Sequence, residues 1–307
     1  MRTAGKITAS LLAGAALGLG GVSPAHAVPY GFASNQLSDF ALTVTGGTVS
    51  PVSGTRNTVN ASAIAPGGSS ATSDPVASLG SSDAAQAVSG PGPFPAENTF
   101  SQSELSSGYG ARADSETAAG SPLTPPGVSF VNNVAESRSL AGFVANATAQ
   151  NSASITFAVT AGTQIAFEFT DDVLLLAQTD PNAGETVRAS VQNTFQILDG
   201  AGNVVFDFAP AGLGQHKVAG GTVDSDPFDI NQALDSIEGL PPVALSSNGL
   251  GDDVFRGVSD PLSAGTYTVL LNTQSAVSPT QTTEPASMLV LLAGLTGLGM
   301  LRRRAMA

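Results

Sequence analysis

Apolar residues in the middle of this chain recur at every second position, in short runs broken by Gly, Asn, Asp and Pro, with hardly any helical spacing. Ile155, Phe157 and Val159 alternate with Thr156 and Ala158; Ala161-Gly162 interrupts; Ile165, Phe167 and Phe169 then alternate with Ala166 and Glu168. A period of two sends alternate side chains to opposite faces of a strand, so these runs read as two half-buried antiparallel strands joined by a turn. Val173 to Ala177, after Asp171-Asp172, is a continuous apolar run whose length suits a strand covered on both faces. Val187 to Leu198 and Val204 to Phe208, joined by Asp199-Gly200-Ala201-Gly202-Asn203, predict a β-hairpin. Gly265 to Leu271 adds a strand with Tyr267, Val269 and Leu271 on one face. Many short strands, turn-rich connections and no fixed internal repeat predict an all-β fold, an antiparallel β-sandwich of jelly-roll or Ig-like type over residues 97–275.

Around that domain the pattern weakens. In residues 28–50, Phe40, Leu42 and Val44 alternate with small residues before Gly46-Gly47 and Thr48-Val49, which predicts a hairpin added at an edge of the sandwich. Residues 51–96 are Ser, Ala, Gly, Pro and Asp with scattered Val or Leu. So little apolar surface does not offset the entropy of ordering a backbone, and the stretch reads as a long disordered loop or linker, weakly helical over Asp83 to Val88. Ser, Thr and Pro in residues 276–283 read as a stalk.

Both ends carry the marks of removable signals. Arg2 and Lys6, an apolar stretch from Ile7 to Val22 and Ala25-His26-Ala27 follow the order of a secretory signal peptide over residues 1–27, cut after Ala27 by signal peptidase once the Sec export machinery has engaged it. At the other end Thr283-Glu284-Pro285 precedes an apolar run from Met288 to Leu301 and then Arg302, Arg303 and Arg304. Fourteen apolar residues at 1.5 Å rise reach only about 21 Å, short of the roughly 30 Å hydrocarbon core, so the short transmembrane helix would hold weakly, with its Arg end in the cytoplasm. This order resembles the PEP-CTERM sorting signal of Gram-negative bacteria, with Thr283 where that family has its first Pro; the resemblance covers residues 284–307, under a tenth of the chain. It implies recognition by an exosortase-type transpeptidase at Glu284-Pro285 and only a transient inner-membrane association. Tyr109-Gly110-Ala111-Arg112-Ala113-Asp114 is further similar to a segment of PEP-CTERM proteins called the EDSAP family, a likeness that implies no activity. By itself the Arg112/Asp114 spacing reads as a surface ion pair worth under about 1 kcal/mol.

Composition narrows the function. Of 11 Lys and Arg, five lie in the two ends, leaving six against 24 Asp and Glu, a net charge near −18 for the exported part. That charge repels nucleic acid and anionic lipid and leaves divalent cations and neutral polysaccharides as partners. With no Cys there is no disulfide, thiol catalysis or Cys-based zinc site. With no Trp, a sugar-stacking cleft lacks its best platform, and once His26 is removed His216 is the one remaining histidine, in a Gly-rich loop without a Gly-x-Ser-x-Gly elbow. Asp224, Asp226 and Asp229 place three carboxylates within six residues, a weak calcium candidate that lacks EF-hand spacing. No other cofactor is expected.

These features point to a non-catalytic exported protein of the cell surface or extracellular matrix, sorted by its tail and associated with exopolysaccharide or biofilm, as the resemblance implies. The alternative is a carbohydrate- or calcium-binding adhesion module on the same sandwich, and a secreted hydrolase ranks third.

Overall fold

The computed structural model describes residues 29–76, 82–91, 93–97, 99–103, 109–119, 129–139, 144–179, 185–210, 217–226, 231, 233–237, 243–246 and 254–281. Among them are sixteen strands and no helix. They are β1 (Tyr30–Thr45), β2 (Val49–Ala65), β3 (Gly68–Val76), β4 (Ser82–Ser89), β5 (Gly110–Ala119), β6 (Ser129–Arg138), β7 (Asn146–Val159), β8 (Gln164–Gln178), β9 (Glu185–Asp199), β10 (Val204–Ala209), β11 (Lys217–Ala219), β12 (Gly221–Ser225), β13 (Ala233–Ile237), β14 (Val243–Ser246), β15 (Val254–Ser259) and β16 (Gly265–Gln281). They form two antiparallel eight-stranded sheets. The first runs β12-β15-β8-β1-β6-β5-β4, with β14 also on β8, and the second β11-β10-β9-β16-β7-β2-β3, with β13 also on β9. The sheets pack face to face around one interior, so the antiparallel β-sandwich expected from the alternation is the fold that forms.

The turns do something other than the local reading suggests. β1 does not pair with β2, nor β7 with β8; each pair has one strand in each sheet. Gly46-Gly47 and Ala161-Gly162 are therefore corners that carry the chain between layers, because the large side chains on both flanking strands must meet across the core rather than side by side. The corners touch: Gly46 has φ +74°, and a Cβ there would lie 2.5 Å from the Gly162 carbonyl oxygen. Only glycine fits both the left-handed backbone and that approach. The β9–β10 hairpin does form, with Phe206 opposite Ile197 and Phe208 opposite Phe195.

Three boundaries are corrected by the structure. β1 lies at the centre of the first sheet between β8 and β6, where an added edge hairpin was expected. A bulge at Asp39, φ 55°, shifts its register against β8 and switches its inward residues from Ala33, Asn35 and Leu37 to Phe40 and Leu42. Residues 51–96 are not a linker, since they hold most of β2 and all of β3 and β4, including the stretch read as weakly helical. The stalk is no stalk as far as Gln281: β16 runs through it, paired to β9, with Val277 1% exposed. Val173 to Ala177 is the end of the longer β8, and both its faces are covered, Leu174 and Leu176 packing outward with Phe32 and Phe100.

The interior explains why Ser- and Ala-rich sequence makes strands. At one end Phe167 has ring centroids at 4.5 Å from Phe195 and 5.1 Å from Phe208, and Phe169 lies 5.0 Å from Phe255. At the other end the two sheets meet through Ala61 and Ala63 of β2, Ala85 and Ala87 of β4, Ala111 and Ala113 of β5 and Ala147 and Ala149 of β7, all fully or almost fully buried. Each methyl contributes little, about 0.8 kcal/mol, but small side chains on both sides let long strands close a thin interior without voids.

Between these ends lies a polar band. Asn35 of β1 donates to Asn193 Oδ1 of β9 at 2.7 Å, and Asn193 Nδ2 donates to Asp171 Oδ2 of β8 at 2.9 Å. Asn133 of β6 donates to Thr273 Oγ1 of β16 at 2.6 Å and accepts from Ser115 Oγ of β5 at 2.7 Å. Burial pushes the Asp171 carboxyl up to about 8, with adjacent Asp172 adding to the rise.

Phe167→Ala is expected to cost about 3–5 kcal/mol by cavity formation, and Ala149→Leu about 1–3 kcal/mol by overpacking the thin end; denaturant unfolding of both variants checks this. A second outcome concerns pH. Because the folded value of Asp171 lies above its unfolded value, its contribution to stability is full below about pH 4 and is lost as pH rises through about 8. Stability measured by urea unfolding should fall between about pH 4 and about 8 and level off above that, and Asp171→Asn should remove most of that fall.

Candidate functional site

The outward faces of β5, β6 and β1 are built from alternation on strands that are buried on both sides. Ala111, Ala113 and Ala135 point into the core, which sends Arg112, Asp114, Glu136 and Tyr30 to the outer face, where the segment 99–103 lies over them. Arg112 is 0% exposed. Its guanidinium pairs with Asp114 at 3.2 Å and Glu136 at 3.0 Å and donates to the carbonyl oxygens of Thr99 at 2.7 Å and Ser101 at 3.0 Å. Glu136 in turn accepts from Tyr30 Oη at 2.6 Å, from the Ser103 backbone N–H at 3.1 Å and from Ser103 Oγ. Arg138 sits with its guanidinium carbon 5.4 Å from the Tyr30 ring centroid.

This corrects the reading of Arg112 and Asp114 as a surface pair. Neither reaches solvent, and the pair with Glu136 is the pin that fixes the 99–103 strap to the first sheet. A planar guanidinium supplies five donors in a fixed fork, which is what two carboxylates and two carbonyls require here; lysine could not reach all four. Burial pushes the Asp114 carboxyl up to about 6, against the pull of Arg112. Burial also raises the Tyr30 phenol, and the neighbouring Glu136 charge raises it further.

Beside the pin, between strap and sheet, runs a groove of about 550 Å³ lined by Phe32, Ser34, Gln36, Thr99, Phe100, Ser101, Gln102, Asp172 and Leu174. Its floor is apolar, and amides, hydroxyls and the Asp172 carboxylate stand at its walls. Tyr30, Asp114 and Glu136 are sealed beneath the strap, whereas Asp172 is a titratable side chain that lines the groove.

The other residues singled out from the sequence are scattered. Asp224 is exposed on β12 and Asp226 half-buried just beyond it, while Asp229 lies outside the described residues, as does His216. Among the described residues no three His, Cys, Asp or Glu are grouped to hold a metal. Ala25, Ala27, Glu284, Pro285, Arg302, Arg303 and Arg304 also lie outside the described residues, together with the apolar tail. No helix among the described residues is long and apolar enough to cross a membrane. Glu136, Tyr30 and Ser103 were missed in the sequence. The available signal was the run Val134-Ala135-Glu136-Ser137-Arg138, which puts charge on a strand face that starts with valine.

No family model matches the chain, and no curated protein matches it. Two solved structures it is similar to are those of infectious bursal disease virus, Gt and Gx strains, at 15% and 13% identity. These matches cover 89% of this chain and 74% and 75% of the viral chains, with TM-scores of 0.10 and 0.09, too low to bear on fold or function.

Arg112→Ala leaves two carboxylates buried without their cation and is expected to cost about 3–5 kcal/mol, with early protease cutting within residues 99–103. Arg188→Ala breaks the pair with Asp235, whose side chains are 53% and 52% exposed, and is expected to change stability by less than about 0.5 kcal/mol. Unfolding and limited proteolysis of the two variants side by side check the contrast.

Proposed function

We propose that this chain is an exported, non-catalytic protein of the cell surface or extracellular matrix, held briefly at the inner membrane and then cut by an exosortase-type transpeptidase. The observation that carries the reading is the placement of the sandwich's two terminal strands relative to the sequence signals. β1 begins at Tyr30, three residues after Ala27, and β16 ends at Gln281, three before Glu284. Gly31 packs directly on Val277 and Val187, so close that a Cβ on it would stand 2.4 Å from Val277 Cγ1. The start of β1 and the end of β16 therefore lie together at one end of the sandwich. A chain tethered by a signal peptide and a C-terminal apolar segment in the same membrane meets that condition without unfolding.

Intact-mass measurement of the protein recovered from outside the cell tests this. The expected species begins at Val28 and ends near Glu284. Extracellular material that retains Leu301 to Arg304 would overturn the sorting step, and material that retains Met1 would overturn export by this signal.

The second reading, an adhesion module on the same scaffold, is supported by the groove beside the strap and, for calcium, by the closeness in sequence of Asp224, exposed on β12, and Asp226 just beyond it. A melting temperature that rises in millimolar calcium but not in magnesium, with the rise lost in Asp226→Ala, would support the calcium form; equal shifts from both ions would reduce it to charge neutralisation.

A further inference from the structure

The outer face of the second sheet carries a pattern that register alone reveals. Gln192 of β9 stands opposite Gln274 of β16, Gln274 opposite Gln150 of β7, and Gln150 opposite Asn60 of β2. Four side-chain amides thus form one row across four strands. On one side of it lies the row Thr194, Asn272, Ser152 and Thr58, and on the other Ser190, Ala276, Thr148 and Ser62. All twelve positions are exposed or half-exposed, and the residues between them along each strand point into the core. In a chain of formal charge −13 this grid carries no ionisable side chain. A shallow depression of about 270 Å³ lies over its two amide-bearing rows.

The grid's chemistry limits what it can take. Amides and hydroxyls each donate and accept, as sugar hydroxyls do. An anionic polymer would need cations here, and a metal ion would need carboxylates. A second copy of the chain or another protein would need apolar or aromatic anchors at the centre of the contact, where the grid offers only Ala276. Neighbouring strands lie about 4.8 Å apart, so one row extends about 14 Å across the strands, long enough to meet several units of an extended chain.

We propose that this face binds a neutral polysaccharide, the polymer lying across β9, β16, β7 and β2 along the Gln192-Gln274-Gln150-Asn60 row. The proposal deepens the surface-protein reading by naming the polymer class and the face that meets it, and rests on that reading only for where the polymer is encountered.

The test is a pull-down and affinity electrophoresis of the purified protein with amorphous cellulose, a β-1,3-glucan and dextran as neutral probes and alginate as the anionic one. Binding to at least one neutral glucan and none to alginate is expected, weakened about tenfold in Gln150→Ala/Gln274→Ala by the loss of about two hydrogen bonds, with melting unchanged and with Gln36→Ala, in the groove of the other sheet, binding like wild type. Failure to bind any of the three neutral probes, binding to alginate, or binding lost in Gln36→Ala but kept in the double variant would each overturn the proposal. So would sedimentation showing a dimer that the double variant dissolves. None of these results bears on processing at Ala27 or Glu284, so the failure of this proposal and of the export reading can be told apart.

Discussion

The relative placement of the two sheets depends on a few hydrogen bonds that cross the interior. Apolar packing alone does not set the register of strands whose inward residues are mostly alanine, because one methyl fits nearly as well as the next. Asn35 to Asn193, Asn193 to Asp171 and Asn133 to Thr273 are directional, and each joins a strand of one sheet to a strand of the other. A slip of one residue would turn these polar groups outward and bring others in without partners, at a cost of about 1–3 kcal/mol for each group stranded. The Phe cluster at one end adds burial energy, while the amide band supplies uniqueness.

That register decides what each outer face becomes. On the first sheet it sends Arg112, Asp114, Glu136 and Tyr30 outward together, and ions gathered there are tolerable only if covered and paired; the 99–103 strap covers them and adds two carbonyl acceptors to the ion pairs, leaving Arg112 Nε and Asp114 Oδ1 without a hydrogen bond. Over the middle of the second sheet the same alternation sends out Asn, Gln, Ser and Thr, which need no cover, with the exposed Arg188–Asp235 pair beside them on β9 and β13. A strongly acidic protein thus presents, on the middle of this face, a patch of amides and hydroxyls without an ionisable side chain.

Much of this was legible in the sequence, for a physical reason. Phe167, Phe169, Ile155 and Tyr267 sit in runs whose large side chains alternate with polar ones, and such runs declare strands whatever their partners. The runs Val59-Asn60-Ala61-Ser62-Ala63 and Ala111-Arg112-Ala113 alternate as regularly, but alanine is weakly apolar, so the same period was read as linker and surface. Partner choice was not legible at all. Gly46-Gly47 and Ala161-Gly162 suit hairpins as well as corners, and what makes them corners is Phe and Leu on both flanking strands competing for the same interior. Arg112 could not be recognised as buried until Glu136 and the Thr99 and Ser101 carbonyls arrived from elsewhere in the chain. The amide row is invisible in sequence, because its four members come from four strands far apart.

The central claim is that the Ser- and Ala-rich β2, β3 and β4, within residues 49–76 and 82–89, are integral strands of the sandwich, since β2 supplies Asn60 to the amide row and β4 flanks the strand bearing Arg112. Native-state hydrogen exchange resolved to short peptides tests it most directly. The account predicts that amides of Val59 to Ala63 exchange as slowly as those of Ile155 to Val159 on the neighbouring β7, because the two strands share one ladder. Exchange across residues 49–89 at the rate of an unstructured chain, with Ile155 to Leu198 protected, would contradict it.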